Sequence, residues 1–334
     1  MKQSPVTRRH FLGASLATAV AIASGIRPVH AQTKAWRLGH QFPLDHPMNI
    51  GFQKVADVVK EKSNGRLRID IFPTSQLGTG REMDQQVSDG TLEFTSDGPG
   101  ILSAWVKTLS IFEAPFISRD WNHLVLMMNS DWGKAQFAEL AKSKDMLLIG
   151  NPWYYGTRQT TTKDRAVKTV ADMKGLKIRV PEVPLFLDMI RAEGATPTPM
   201  ALAEVYLSLQ TGVVDGQENP LSTIYAQKFY EVQKYLNLTA HIITPQIPLV
   251  NAKFFRSLPE GDRAILLTAF AEGAMVNDEA ARKAETTLRD ELAKRGMTVI
   301  EPDRAAFQAA MQPVYAKYDD IWGKGVYQQL LALK

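Results

Sequence analysis

A two-lobed α/β fold is what this sequence predicts, on three observations. Short apolar strands alternate with amphipathic helices at a spacing that suits a parallel sheet with crossover helices. The chain has 334 residues, enough for two separate cores. Hydrophobic residues make up 45% of it, which supports packed interiors and argues against disorder.

Residues 1–31 come first and stand apart. Thr7-Arg8-Arg9-His10-Phe11-Leu12 precedes an apolar run from Gly13 to Ile26. Val29-His30-Ala31 then offers small residues for cleavage before Gln32. The run is short and alanine-rich for a membrane span. Paired arginines before Phe-Leu resemble a twin-arginine signal, which implies export of the folded chain to the periplasm. An ordinary secretion signal is the alternative.

The leader also explains the charge. The chain carries +4 at neutral pH, and Lys2, Arg8, Arg9 and Arg27, with no acid among them, account for all of it. What remains has as many bases as acids, 35 of each. A nucleic-acid binder keeps a basic excess on its folded part, so that class is excluded. Cysteine is absent, which removes disulfides, thiolate metal sites and a cysteine nucleophile together.

After the leader, Trp36 to His40 reads as a first strand. Pro47 to Ser63 reads as a helix, with Ile50, Phe52, Val55, Val58 and Val59 gathered on one face. Asn64-Gly65 closes it as a C-cap. Leu67 to Phe72 alternates as a strand and stops at Pro73. Arg81 to Asp89 is a helix ended by Gly90, and Leu92 to Ser96 another strand. The second half repeats the logic. Met146 to Gly150 is a buried strand leading into Trp153-Tyr154-Tyr155, and Leu176 to Val180 is a strand closed by Pro181. Glu204 to Gln210 is a helix stopped by Gly212, and Val213 to Gln217 a strand running into Asn219-Pro220. The proline pair in Thr244-Pro245-Gln246-Ile247-Pro248 predicts an extended crossover between lobes. A long charged helix follows from Pro259 to about Lys294.

Ligands of open α/β sheets collect beyond the carboxyl ends of strands. Three such ends carry polar groups: Tyr155 to Thr160, Lys174 to Pro181, and Val214 to Pro220. In the second, Leu176, Ile178 and Val180 alternate onto one face, which puts Arg179 on the other. A guanidinium presents parallel donors that match both oxygens of a carboxylate. An amide can donate to an oxygen or accept from a hydroxyl. Arg158, Arg179 and Asn219 therefore make a candidate anion clamp. The plainer reading of each, a solvated arginine or an Asn-Pro turn, stays open on periodicity alone.

Catalytic constellations are weaker. Of six histidines, His40 and His46 flank Gln41 and Asp45 in a first loop, where a cleft-lining role fits better than a metal site. No His-Glu-x-x-His, Gly-x-Ser-x-Gly or phosphate-cradling glycine loop occurs. Gly78-Thr79-Gly80 and Asp97-Gly98-Pro99-Gly100 read as turns. An exported hydrolase would have to rely on Asp97, Glu182 and Glu218, with no activated nucleophile beside them. No cofactor and no metal are expected.

At the three strand ends the chain resembles the solute receptors of tripartite ATP-independent periplasmic (TRAP) transporters. The resemblance covers about residues 34–330. It is carried by Ser75-Gln76-Leu77-Gly78, by Tyr155 to Thr161, by Ala171 to Pro181, and by Pro197-Thr198-Pro199-Met200-Ala201. Glu204-Val205-Tyr206, Val214 to Pro220 and Gln227 to Lys234 complete it. It implies a two-lobed periplasmic-binding-protein fold with a hinge and a ligand cleft. Lobe I would comprise 32–155 and 245–284, lobe II 156–244 and 285–334, with the helix near 259–294 bridging them. It also implies that Arg179 forms the central salt bridge to a substrate carboxylate, that Arg158 assists, and that Asn219 binds. The partners implied are a small carboxylate ligand and the membrane permease subunits, with no nucleic acid.

The motifs come nearest to those of sialic-acid receptors, but the pocket departs from theirs at Ser96 to Ile101, at Leu202 and at Glu182. A smaller hydroxylated acid, a uronate or aldonate, fits this equipment better. Gln41, His46, Ser96 and Asp97 are candidate hydroxyl partners, and Glu182 joins the cleft. A C4-dicarboxylate, or an aromatic or keto acid stacked on Trp153, is the alternative within the family. A ligand sensor for signalling is the alternative outside transport.

Overall fold

The computed structural model describes residues 34–334, so the expected export leader lies outside the described residues. Among these residues, eleven strands join in one sheet. They are β1 (Lys34–Gly39), β2 (Leu67–Phe72), β3 (Phe94–Asp97), β4 (Met146–Leu148), β5 (Trp153–Thr162) and β6 (Lys177–Val180). After them come β7 (Thr196–Pro199), β8 (Gly216–Pro220), β9 (Tyr235–Asn237), β10 (Ile243–Asn251) and β11 (Thr298–Ile300). The order is β2-β1-β3-β10-β5-β8-β6-β7, with β4 paired to β10, β9 to β5 and β11 to β9.

The expected parallel sheet is in fact mixed. Its ends are parallel, β1 with β2 and β3 on one side, β6 with β7 and β8 on the other. Its middle is antiparallel through β10 and β5. Strand β10 pairs β3 through Ile247–Val250 and β5 through Ile243–Gln246. Strand β5 in turn pairs β8 through Arg158–Thr162. Each long strand thus leaves one half-sheet and enters the other.

The crossing has its own backbone signature. Gly156 takes a φ of 129°, and a Cβ there would sit 2.8 Å from Pro220 Cβ. Only glycine meets both conditions. Opposite it, the β10 register shifts between Thr244 and Pro245. The proline-rich segment is therefore strand, not a connector outside the sheet. Proline lacks a ladder donor, and the irregularity falls where one is missing.

Two further strands correct the sequence reading. The strand expected at 213–217 runs from Gly216 to Pro220. Residues 213 and 214 are used to close the preceding helix, both backbone N–H groups turning back to Ser208 O. Asn219 therefore lies within a strand, opposite Gln159 of β5, and not in a turn. Likewise Arg158 sits in the middle of β5 and not beyond a strand end. Gly150, at φ 76°, turns the chain between β4 and β5.

Helices position the cavity walls. The helix Pro47–Lys62 is capped by His46, whose Nδ1 accepts from Met48 N at 3.1 Å. It buries Phe52, Val55, Val58 and Val59 against Trp36, Leu38 and Phe270. Ile50 is exposed instead, because it lies about 140° around the helix from Val55. The helix Gly80–Asp89 opens with a capping box, Thr79 and Glu82 each bonding the other's backbone N–H at 2.8 and 3.3 Å. The helix Glu260–Lys294, about 52 Å long, packs on the helix Pro47–Lys62, on β5 and on the helix Leu221–Ala226.

Apolar cores follow the same division. One gathers Trp36, Phe52, Phe94, Trp153 and Phe270, and another Val205, Leu209, Ile224, Phe229 and Leu292. A third is shared, and the helix Gln312–Trp322 packs there against both Lys107–Glu113 and the helix Pro184–Ala192. Among the described residues no helix is long and apolar enough to cross a membrane.

Candidate functional site

The half-sheets face a cavity of about 340 Å³. Six of the sequence-predicted residues line it: Arg158, Arg179, Asn219, Gln41, Asp97 and Glu182. Arg179 comes from β6, Arg158 from β5 and Asn219 from β8, neighbours in the sheet, so pairing alone brings them together. The alternation expected in β6 holds, with Ile178 and Val180 in the core and Arg179 turned to the cavity.

The two arginines are not equivalent. Arg158 grips Glu218: Nε bonds Oε2, and Nη2 bonds Oε1 and the backbone O, both at 2.8 Å. Its guanidinium also stands 5.2 Å from the centre of the Phe186 ring. Burial alone would lift the Glu218 carboxyl, but the Arg158 charge and a bond from His241 Nε2 at 3.1 Å hold it below its ordinary range. That cation is neutralised inside the protein.

Arg179 has no such partner. Its Nε and Nη2 donate to the backbone O of Met200 at 3.1 and 2.7 Å. Among the described residues no carboxylate pairs with it, although it is 3% exposed. Burial pulls its pKa down to about 10, which still leaves it charged at neutral pH. A buried cation facing a cavity without a counter-ion favours the entry of an anion.

Asn219 is oriented by a relay of hydrogen bonds. Because His46 Nδ1 accepts from Met48 N, Nε2 carries the proton and donates to Thr223 Oγ1 at 3.1 Å. The Thr223 hydroxyl lies 2.6 Å from Tyr155 Oη, and Tyr155 donates to Asn219 Oδ1 at 3.3 Å. One amide hydrogen of Asn219 goes to Gln217 Oε1 at 2.6 Å, which leaves the other for the cavity. Burial holds the His46 pKa down to about 3, so the relay keeps one polarity at neutral pH.

Three predicted residues stand elsewhere. Trp153 is fully buried in the first core, 4.7 Å from the Phe52 ring and 6.2 Å from Phe270, so it offers no stacking surface to a ligand. His46 lies behind the wall, stacked on Phe42 at 4.6 Å and packed on Tyr155 at 5.7 Å, and is hydrogen-bonded toward the site through Thr223. Ser96 is buried beside Asp97 but does not line the cavity, since alternation along β3 turns it away.

Sequence reasoning also missed wall residues. Glu113 lines the cavity, accepts from Gly100 N at 2.6 Å, and is pushed by burial up to about 7. A single acid inside the apolar run Ile111-Phe112-Glu113-Ala114 was its readable signal. Thr244 and Gln246 project from β10, and their Oγ1 and Oε1 are buried with no hydrogen-bond partner. The connector reading of that segment hid them. At the rim, Arg81 Nη2 bonds Glu182 O at 3.0 Å. Among the described residues no group of three or more acids and histidines is arranged to hold a metal ion.

With this geometry in place, the chain can be set beside known proteins. Residues 38–320 match the family described as bacterial extracellular solute-binding protein, family 7. The sialic acid-binding periplasmic protein SiaP of Vibrio cholerae is 34% identical over 315 residues, 94% of this chain and 97% of its own. A TRAP periplasmic solute binding protein of Actinobacillus succinogenes with bound L-galactonate is 33% identical. It covers 89% of this chain and 98% of its own, at a TM-score of 0.85. Another from Roseobacter denitrificans, with bound β-D-glucuronate, is 29% identical over 90% of this chain and 100% of its own, also at 0.85. These likenesses bear out the two-lobed α/β periplasmic-binding-protein fold.

Proposed function

Since the chain belongs to family 7 of the bacterial extracellular solute-binding proteins, the periplasmic receptors of TRAP transporters, we propose that it captures a sugar acid, an aldonate or a uronate, in the cavity around Arg179. Export by way of the leader and delivery to the membrane permease subunits belong to the same proposal. So does a hinge at Gly156 and Thr244–Pro245, dividing lobe I (32–155, 245–284) from lobe II (156–244, 285–334). The C-terminal helices touch both sides, and they would have to slide or follow one lobe during closure.

One observation carries the proposal: Arg179 is buried, charged and free of any carboxylate, beside an Arg158 already satisfied by Glu218. Among the described residues the cavity thus holds one uncompensated cation, suited to one carboxylate. Three further features favour a hydroxylated acid. Gln246 Oε1 is buried and needs a donor, Thr244 Oγ1 is buried and needs a donor or an acceptor, and a ligand hydroxyl can serve either. Trp153 is withdrawn into the core, so its indole gives an aromatic acid no stacking surface. A volume of about 340 Å³ suits a small ligand.

Thermal unfolding of the purified chain with a panel of sugar acids, C4-dicarboxylates and aromatic acids tests this. A ligand held only by the native state stabilises it by about 2.7 kcal/mol at a hundredfold excess over Kd. Sugar acids should raise Tm most. A panel in which only dicarboxylates or aromatic acids raise it would refute the reading.

A further inference from the structure

Opposite the arginines the cavity wall is acidic. Asp97 ends β3 and Glu113 ends the short helical stretch Lys107–Glu113, while Arg179 lies on β6, with β10, β5 and β8 between β3 and β6. Both carboxyls are buried and both line the cavity. Asp97 accepts from Gly98 N at 2.8 Å and Glu113 from Gly100 N at 2.6 Å, so backbone amides fix each in place. Gly80 makes room for the first, since a Cβ there would stand 2.3 Å from Asp97 Oδ2.

The groups around this pair do not cancel it. Asp84 lies behind Asp97, buried, with neither oxygen hydrogen-bonded. The Arg81 charge acts on Asp97, but Arg81 is turned to Glu182, whose Oε2 is 3.8 Å from its Nε. Glu113 faces Arg158, and Arg158 is taken by Glu218. On the same wall, Gln246 Oε1 and Thr244 Oγ1 are at least nine-tenths buried and lack partners. They are an independent sign that a hydrogen-bonding group belongs there, and Gln246 Oε1 requires that it carry a donor.

We propose that Asp97 and Glu113 form a charge filter: they accept the hydroxyl end of a monocarboxylate and turn away a ligand that carries a second carboxylate. This deepens the sugar-acid reading and rests on it. A terminal hydroxyl donates to a carboxylate or amide oxygen and can also accept from a protonated carboxyl. A terminal carboxylate has no hydrogen to give Gln246 Oε1, and it meets two acids whose neighbouring cations, Arg81 and Arg158, already have acid partners. Unpaired acceptors and juxtaposed like charges are how a site rejects a near-isostere. Burial raises both carboxyls to about 7, so the filter weakens as they gain protons in mild acid.

The test is calorimetric titration of the purified chain with matched pairs that differ only in one end: L-galactonate against galactarate, and gluconate against glucarate. The expected result is that each diacid binds about a hundredfold or more weaker than its monoacid. The Asp97→Asn and Glu113→Gln variants, singly and together, should narrow that ratio, with circular dichroism confirming that each is folded. The ratio in the unmodified chain tests the filter even if a variant fails to fold. A diacid that binds as tightly as its partner overturns the filter and leaves the sugar-acid reading standing. Binding by none of the four, and by neither D-glucuronate nor D-galacturonate, overturns both.

Discussion

Arg179 gives both its Nε and its Nη2 hydrogen to one acceptor, the carbonyl oxygen of Met200, at 3.1 and 2.7 Å. A carbonyl fixes the plane of a guanidinium without neutralising it. Arg158 shows the contrast, because Glu218 compensates its charge at the same moment as it fixes its plane. One arginine is structural and the other is available, and the receptor reading depends on that difference.

The Arg158–Glu218 pair should behave as part of the scaffold. Glu218→Gln leaves a buried guanidinium without a counter-ion, and breaking such a pair costs about 3–5 kcal/mol. Urea unfolding of the ligand-free chain measures it. A change below about 0.5 kcal/mol would mean that the pair is solvated and not buried.

Trp153 should matter to folding and not to recognition. It touches Phe52 and Phe270, and it lies so close to the helices that Cβ atoms on Gly51 and Gly273 would approach it at 2.7 and 3.0 Å. Trp153→Ala is expected to cost about 3–5 kcal/mol of stability. Kd, measured where the variant is still folded, should change less than about threefold. A large loss of affinity without loss of stability would restore Trp153 to the site.

Such cases show what could be read from the chain beforehand. The helix start at Pro47 was legible because proline favours the first turn, whereas Thr79, read as part of a turn, in fact caps the helix Gly80–Asp89. Arg179 was legible because alternation in a short strand separates core from cavity. Trp153 was misplaced because an aromatic near a strand end reads alike whether it faces a ligand or a helix. Its burial is decided by Gly51 and Gly273, each more than a hundred residues away in the chain, one before it and one after. Glu218 was noticed only as a possible catalyst. Its partner Arg158 is fixed by strand pairing, which no local pattern reveals.

Glu113 gives the protein a measurable pH response. The native state holds its pKa up near 7, against about 4.5 when exposed. Below pH 4.5 both states bind the proton and nothing is lost. Between about 4.5 and 7 the unfolded state ionises first, so the native state loses stability as pH rises, and the loss is complete above 7. Glu113→Gln removes this penalty. Its stability relative to the unmodified chain should therefore rise from pH 5 to pH 8, by about 1–3 kcal/mol. Comparing the two proteins at each pH cancels the opposite effect of His40 and His46, which burial holds down to about 4 and 3. A difference that does not vary with pH would show that Glu113 is ionised in the native state like any exposed acid.

The most direct test is calorimetric titration of the unmodified chain and of Arg179→Ala, each with L-galactonate and with D-glucuronate. For whichever acid the unmodified chain binds more tightly, the loss of the one free guanidinium should cost about 2–5 kcal/mol of binding free energy. That is roughly a thirtyfold to several-thousandfold rise in Kd. Should the folded variant bind that acid within about threefold of the original, the carboxylate is held by something other than Arg179, and the account fails.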